Sequence, residues 1–270
     1  CDDKGPLAAM LWALRRALER RGARLRYEIV FAGVASEESG NDGMERLMRS
    51  GLRADFAIAG EPTELDVIHA HKGVLWLALE ARGKAVHSSA PDRGDNAIIK
   101  LVRTVDFLER VCGPSFRKIR HPALGQPTLC VSTIAGGRKI NIVPDGARAE
   151  VDVRTVPGQD PRAFLDGIRQ GLRRRGISVR VKVARNHAPL FTDPGHEPVR
   201  RLVELMRRIK PRARAAGAAW FSDAAVAAHA GMPAVAWGPG SIRQAHTANE
   251  FICLRELDQA AAIFERFLAD

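Results

Sequence analysis

Glu37 and Glu38 stand side by side directly after an apolar stretch, residues 27–34, whose β-branched and aromatic content and abrupt polar end read as a buried strand. Adjacent carboxylates repel, and desolvation at a strand end raises their pKa unless a cation sits beside them. Ligand crevices in open α/β sheets lie at such strand ends. Groups of the same chemistry recur: Asp2 and Asp3 before the first helix, Glu61 after a short apolar strand at 55–60, and His246 in a turn-rich run, 238–250, that follows the last strand. A parallel sheet would carry these strand ends to one edge. Several carboxylates with one imidazole make a donor set for a divalent ion such as zinc, manganese or cobalt. Two ions bridged by a shared carboxylate would neutralise the crowd and activate a water. Plainer readings exist for the same residues: an exposed acidic turn for Glu37-Glu38, a helix N-cap for Asp2 and Asp3, and a turn for Glu61 ahead of Pro62.

The elements that must position these groups follow from periodicity. Residues 4–21 read as a helix opened by Pro6 and stopped at Gly22, with Leu7, Met10, Leu11, Leu14 and Leu18 at helical spacing. The strand 27–34, a helix at 42–50 ended by Gly51, and the strand 55–60 continue an alternating order that predicts a parallel sheet with crossover helices. From Gly73 the pattern changes to strand 74–83, helix 96–112, strands 128–134 and 147–154, helix 164–175 and strand 177–183. That is the βαββαβ order of a ferredoxin-like unit. Helices at 197–210, 222–229 and 254–268 and a strand at 234–237 return to the first pattern. The expected fold class is therefore α/β, one α/β domain over 1–73 and 186–270 interrupted by an inserted α+β domain over 74–185.

Composition narrows the function. An apolar fraction of 46% over 270 residues is enough for a packed core and excludes general disorder. The net charge of +11 is carried mostly by arginines clustered on predicted helices, at Arg15-Arg16, Arg20-Arg21, 173–175 and 207–214. No aromatic platform is interleaved with them, so nucleic acid is not an expected partner. No apolar run approaches a membrane span, so no membrane association is expected. The four cysteines form no Cys-x-x-Cys pair, which fits a reduced, cytoplasmic compartment. Ser222 sits in no Gly-x-Ser-x-Gly elbow, which removes the simplest serine nucleophile. His69 and His71 read as structural, and Trp12, Trp76, Trp220 and Trp237 as core or pocket wall.

The motifs in order are Asp-Asp-Lys-Gly at 2–5, Glu-Glu-Ser-Gly at 37–40, Gly-Glu-Pro-Thr at 60–63, His-Lys-Gly at 71–73 and His-Ser-Ser-Ala-Pro at 87–91. Asn-Ile-Val-Pro at 141–144, Val-Asp-Val-Arg at 151–154, Ser222-Asp223, and Gly-Pro-Gly-Ser-Ile followed by Gln-Ala-His through 246 complete the set. Together they span nearly the whole chain and resemble the zinc-dependent M20 amidohydrolases and peptidases, which include acetylornithine deacetylase, succinyl-diaminopimelate desuccinylase, aminoacylase and glutamate carboxypeptidase. His71-Lys72-Gly73, the run Arg93-Gly94-Asp95-Asn96-Ala97-Ile98 and the Gly-Pro-Gly-Ser-Ile and Gln-Ala-His stretches most resemble the acetylornithine deacetylase branch.

The resemblance implies a role for each matching residue. Asp2 would bridge two zinc ions, with a cis Asp2–Asp3 peptide. Glu38 and His246 would complete one ion's protein ligands, Glu61 would serve the other, and cobalt or manganese could replace zinc. Glu37 would be the general base that takes a proton from the attacking water and delivers one to the leaving amine. His87, on the inserted domain, would stabilise the oxyanion in the partner subunit's active site, which implies a homodimer. Asn141 and Arg154 would hold a substrate carboxylate, arginine through its planar fork, and Gly238 and Gly240 would add backbone donors. The implied substrate is a small N-acyl amino acid, N-acetylornithine first, with desuccinylase, dipeptidase and carboxypeptidase activities as alternatives. The family's first zinc ligand, a His in a His-x-Asp strand, would lie upstream of Asp2. On the sequence alone the chain therefore reads as an N-terminally truncated form, impaired as it stands, and a non-catalytic binding or dimerising protein of the same family is the competing reading.

Overall fold

The computed structural model describes residues 1–21, 25 and 27–269; the helix stop expected at Gly22 lies outside them. In chain order the elements are α1 (Lys4–Arg21), α2 (Asp42–Arg49), β1 (Ala57–Gly60), β2 (Val67–His71), β3 (Gly73–Arg82) and α3 (Ala97–Phe107). α3 runs on through a π-helical turn at 108–112 into the short α4 (Gly113–Phe116). There follow β4 (Thr128–Gly136), β5 (Gly146–Thr155), α5 (Pro161–Arg174), β6 (Val179–His187), β7 (Leu190–Phe191), α6 (Glu197–Arg207), β8 (Ala215–Ala218), α7 (Asp223–His229), β9 (Ala234–Trp237) and α8 (Leu254–Ala269). The chain divides into two compact units, Cys1–His71 with Leu190–Asp270, and Lys72–Pro189. The crossings fall at 71/72 and 189/190, against 73/74 and 185/186 read from the sequence.

The sheet of the first unit runs β1-β9-β2-β7, with β8 also paired to β2. It is mixed and not fully parallel: β1 lies parallel to β9 and β2 parallel to β8, while β2 meets β9 and β7 antiparallel. Alternation along β9 sorts the core. Val235 and Trp237 pack with α1, α6 and α8, among Ala9, Ala13, Leu202, Met206, Ile263 and Phe264. Ala234 and Ala236 face α2 and α7, among Met48, Ala224 and Ala225. β2, β7 and β8 escape sequence reading because the first carries two histidines, the second is two residues long and the third is Ala-Ala-Gly-Ala.

Two sequence expectations fail here. Residues 27–34 form no strand, and Tyr27, Val30, Phe31 and Val34 are exposed. An apolar run becomes a strand only when a neighbour takes up its backbone N–H and C=O groups, and no described strand runs beside this one. The leucine stripe of α1 is likewise not its buried face. Ala9, Ala13 and Ala17 are at most 1% exposed, whereas Leu7, Leu11, Leu18 and Trp12 are open to solvent. Small residues win because the helix lies hard against the strand ends: a Cβ added to Gly60 or to Gly238 would stand 3.0 Å from the Cβ of Pro6. Of the other tryptophans, Trp237 is core and Trp76 is exposed.

The second unit matches the βαββαβ expectation. Its sheet runs β4-β5-β3-β6, all antiparallel. Leu75, Leu77, Leu79, Val151 and Val153 alternate onto the face covered by Leu101 and Phe107 of α3 and by Leu165, Ile168 and Leu172 of α5.

The alanine face of α1 carries a direct test. Ala13→Leu should lower unfolding stability by ~1–3 kcal/mol through overpacking, whereas Leu11→Ala on the open face should stay within ~0.5 kcal/mol. Urea denaturation of both variants measures the difference, and equal losses would reverse the assignment of faces.

Candidate metal centre

The carboxylates foreseen from the sequence gather at one end of the first unit. Asp2 precedes α1 and is held by its own backbone: its N–H donates to Oε1 of Glu250 at 2.6 Å. The Asp2–Asp3 peptide bond is cis, as the resemblance implies. Glu37 and Glu38 sit in a turn closed by one acceptor, the carbonyl of Ser36, which receives the N–H groups of Ser39, Gly40 and Asn41 at 3.3, 3.0 and 2.7 Å. Ser36 enters the turn with φ 68° and Asn41 leaves it with φ 62°, both left-handed. Gly43 then brings α2 against the start of the turn, where an added Cβ would lie 2.3 Å from the carbonyl oxygen of Ala35.

Glu61 follows β1 directly and His246 lies in the loop after β9. The two strand ends are locked by Thr63, whose Oγ1 donates to the Gly238 carbonyl at 3.1 Å and accepts the Gly238 N–H at 3.2 Å. A Cβ on Gly238 would come within 2.7 Å of the Glu61 carbonyl oxygen. Gly240 has φ 95° and donates its N–H to Glu256 at 2.9 Å. Both glycine N–H groups are thus engaged within the protein. What these glycines provide here is close approach of backbone, not a pair of donors aimed at a ligand.

Asp2, Glu38 and His246 converge, each offering one ligand atom within 4.8 Å of the others. Nε2 of His246 lies 2.7 Å from Oε1 of Glu38 and 3.6 Å from Oδ2 of Asp2. A tetrahedral zinc with ligand bonds of ~2.0–2.1 Å separates its ligands by about 3.3 Å, so these spacings fit one ion with modest adjustment. The donor types fit as well: two carboxylates and an imidazole suit zinc, cobalt or manganese. Glu61 lies outside this triad, yet its carboxyl senses four neighbours.

The electrostatics agree with a site built for cations. Glu61 is pushed well above the usual carboxylate range, first by burial and then by the charges of Glu37, Asp2, Asp3 and Asp223. Asp3 is raised to about 7 by burial, Asp2 and Asp223. Burial and Glu38 raise Asp2. The hydrogen bond and charge of Glu38 raise His246, with smaller help from Asp2 and Glu250. Every neighbour that raises Glu61 is another carboxylate, a crowd that a divalent ion would relieve.

The remaining expected residues lie on the second unit. His87 is exposed, its Nδ1 2.8 Å from Oγ of Ser89. Its strand-like neighbour is residues 141–143: His87 bridges Ile142, and the Ser88 N–H donates to the Asn141 carbonyl at 3.0 Å, so His87 and Asn141 come together. Arg154 projects from β5 and its Nε and a terminal nitrogen both bond the Asp152 carboxylate at 3.1 Å. Asn41, Thr63, Asp223 and Glu250 were not foreseen as site residues. Thr63 and Asp223 were visible only as members of motifs without a role of their own and Glu250 only as the end of the run 238–250, while nothing in the local sequence marks Asn41.

Comparison with known proteins agrees with this geometry. Residues 69–180 match the peptidase dimerisation domain family. Over its full length the chain is 33% identical to acetylornithine deacetylase of Myxococcus xanthus, of which it covers 70%. Its fold is similar to the crystal structure of aminopeptidase PepT from Bacillus cereus, with a TM-score of 0.81 and 23% identity over 99% of this chain and 70% of that one. It is also similar to a Bacillus subtilis structure described as a dinuclear metal-binding peptidase of the M20 family, with a TM-score of 0.71 and 16% identity over 96% of this chain and 69% of that one. The chain belongs to the M20 family of metal-dependent amidohydrolases and peptidases. Among the described residues no helix is long and apolar enough to cross a membrane.

The raised carboxyls set the pH behaviour of the metal-free protein. A carboxyl whose folded pKa exceeds its unfolded value stabilises the fold below the unfolded value, and that stability is lost as pH rises through the folded one. For Asp3 the window runs from the ordinary carboxyl value of 3.8 to about 7, and Glu61 acts in the same direction. The melting temperature of chelator-treated protein should therefore fall as pH rises from 5 to 7.5, and added zinc should raise it most at the upper end. A flat profile with no zinc effect would remove the carboxylate crowd as a source of instability.

Proposed function

We propose that the chain carries the catalytic centre of a zinc-dependent hydrolase that cleaves the amide bond of an N-acyl amino acid, with N-acetylornithine as the first substrate to test. The observation that carries the reading is the convergence of Asp2, Glu38 and His246 with Glu37 adjacent in the same closed turn. Asp2, Glu38 and His246 would hold one zinc ion. Glu61, sharing Asp2, would contribute to a second. A bound zinc supplies Lewis acidity toward a water and the amide carbonyl.

The work left to the protein is proton handling and orientation. Glu37 is half-buried and, after burial, is the leading neighbour that raises Glu61, so it belongs to the same carboxylate group without being a member of the triad. As general base it would accept the proton of the attacking water and return one to the departing amine nitrogen. On the second unit, His87 would donate to the developing oxyanion in the partner subunit's active site. Asn141 and Arg154 would bind the substrate carboxylate, Arg154 sharing its fork with Asp152 or exchanging it. The family match over residues 69–180 supports assembly as a homodimer through that unit.

The test is release of acetate from N-acetylornithine by zinc-loaded protein, beside N-succinyl-diaminopimelate and a dipeptide. Preference for either of the latter would redirect the specificity to the desuccinylase or peptidase branch. Glu37→Gln should lower kcat about 100-fold or more while zinc content stays unchanged. Full turnover in that variant would overturn the base assignment.

A further inference from the structure

We propose that Asn41 and Asp223 form a positioning pair that fixes the Glu37–Glu38 turn at the metal centre. The proposal rests on the metal-centre reading above. Nδ2 of Asn41 donates to Oδ1 of Asp223 at 2.8 Å, across 182 residues of sequence. Asn41 is 0% exposed and Asp223 8%. An asparagine just before a helix ordinarily accepts a hydrogen bond from a first-turn N–H. Asn41 immediately precedes α2, yet its side chain makes no such bond and reaches a different element instead.

Its backbone is held as well. The Asn41 N–H closes the turn on the Ser36 carbonyl, and its carbonyl accepts the Glu45 N–H at 3.0 Å. Asn41 therefore ties turn, helix and α7 at one residue, and Glu37 and Glu38 lie between the two ends of the turn it closes. The other end of the tie is equally fixed. Asp223 is the first residue of α7, and the preceding Ser222, fully buried, accepts the Ala224 N–H at 3.4 Å and lies 3.1 Å from Nε2 of the fully buried His71 of β2. A carboxylate at 223 adds negative charge near Asp3 and Glu61, an electrostatic cost at a site already crowded with like charge. A charge-assisted hydrogen bond is roughly twice as strong as a neutral one, which gives the carboxylate a use there.

The experiment measures cobalt and zinc affinity of the full chain by competition with a chromophoric chelator, with melting of the metal-free protein read in parallel. Asn41→Ala removes no charge, and it should weaken metal binding by about tenfold or more. The double variant Asn41→Ala/Asp223→Ala removes the buried carboxylate together with its amide donor, so it should regain metal-free stability while its affinity stays low. A structural role alone would move melting and affinity together. Affinity of Asn41→Ala within twofold of the unaltered protein, recovery of affinity in the double variant, or failure of the double variant to fold would overturn the proposal. Glu38→Ala separates the underlying reading: affinity retained there would refute the metal centre itself, whatever Asn41→Ala does.

Discussion

Mutual repulsion of carboxylates is the constraint around which the first unit is built. Asp2, Asp3, Glu37, Glu61 and Asp223 act on one another at one end of its sheet, and burial amplifies each interaction. Such a group is tolerable only if the backbone holds every member against its preference to separate. The surrounding structure does this with short, mostly backbone contacts. Three N–H groups converge on the Ser36 carbonyl, Thr63 clamps two strand ends, and the Asp2 N–H is fixed by Glu250.

Close backbone approach is the second device. Gly43, Gly60 and Gly238 stand where a methyl group would meet Ala35, Pro6 or the Glu61 carbonyl. The alanine face of α1 serves the same end, letting the helix lie flat on the strand ends so that Asp2, two residues ahead of it, reaches the carboxylates. Small residues here are determinants of where charge is placed, and the large leucines of α1 have no part in it.

The sequence made the chemistry more legible than the architecture around it. Asp2, Asp3, Glu37, Glu38, Glu61 and His246 could be grouped by residue type as donors for a divalent ion, the family resemblance singled out Asp2, Glu38 and His246 as one ion's ligands, and the structure brings these three together. The βαββαβ unit could be read because its strands alternate cleanly and its helices are long. The mixed sheet could not, since β2 and β8 lack the composition of strands and are defined by pairing partners distant in sequence. The stretch at 27–34 failed in the opposite way: it has the composition of a strand, but no described strand pairs with it. Asn41 and Asp223 were invisible as a pair because their contact depends on how α2 and α7 pack.

The separation of Glu38 from His246, 208 residues apart yet within hydrogen-bond distance, has a consequence for the order of assembly. Loop closure over such a span is entropically costly and must await the packing that rewards it. Asp2, Glu37, Glu38 and Glu61 leave the ribosome first, and the histidine follows only after the whole second unit has been synthesised. The triad is therefore a late contact, completed when the C-terminal strand β9 enters the sheet beside β1. If the proposed metal centre is right, capture of an ion by Asp2, Glu38 and His246 would mark chains in which that entry has taken place.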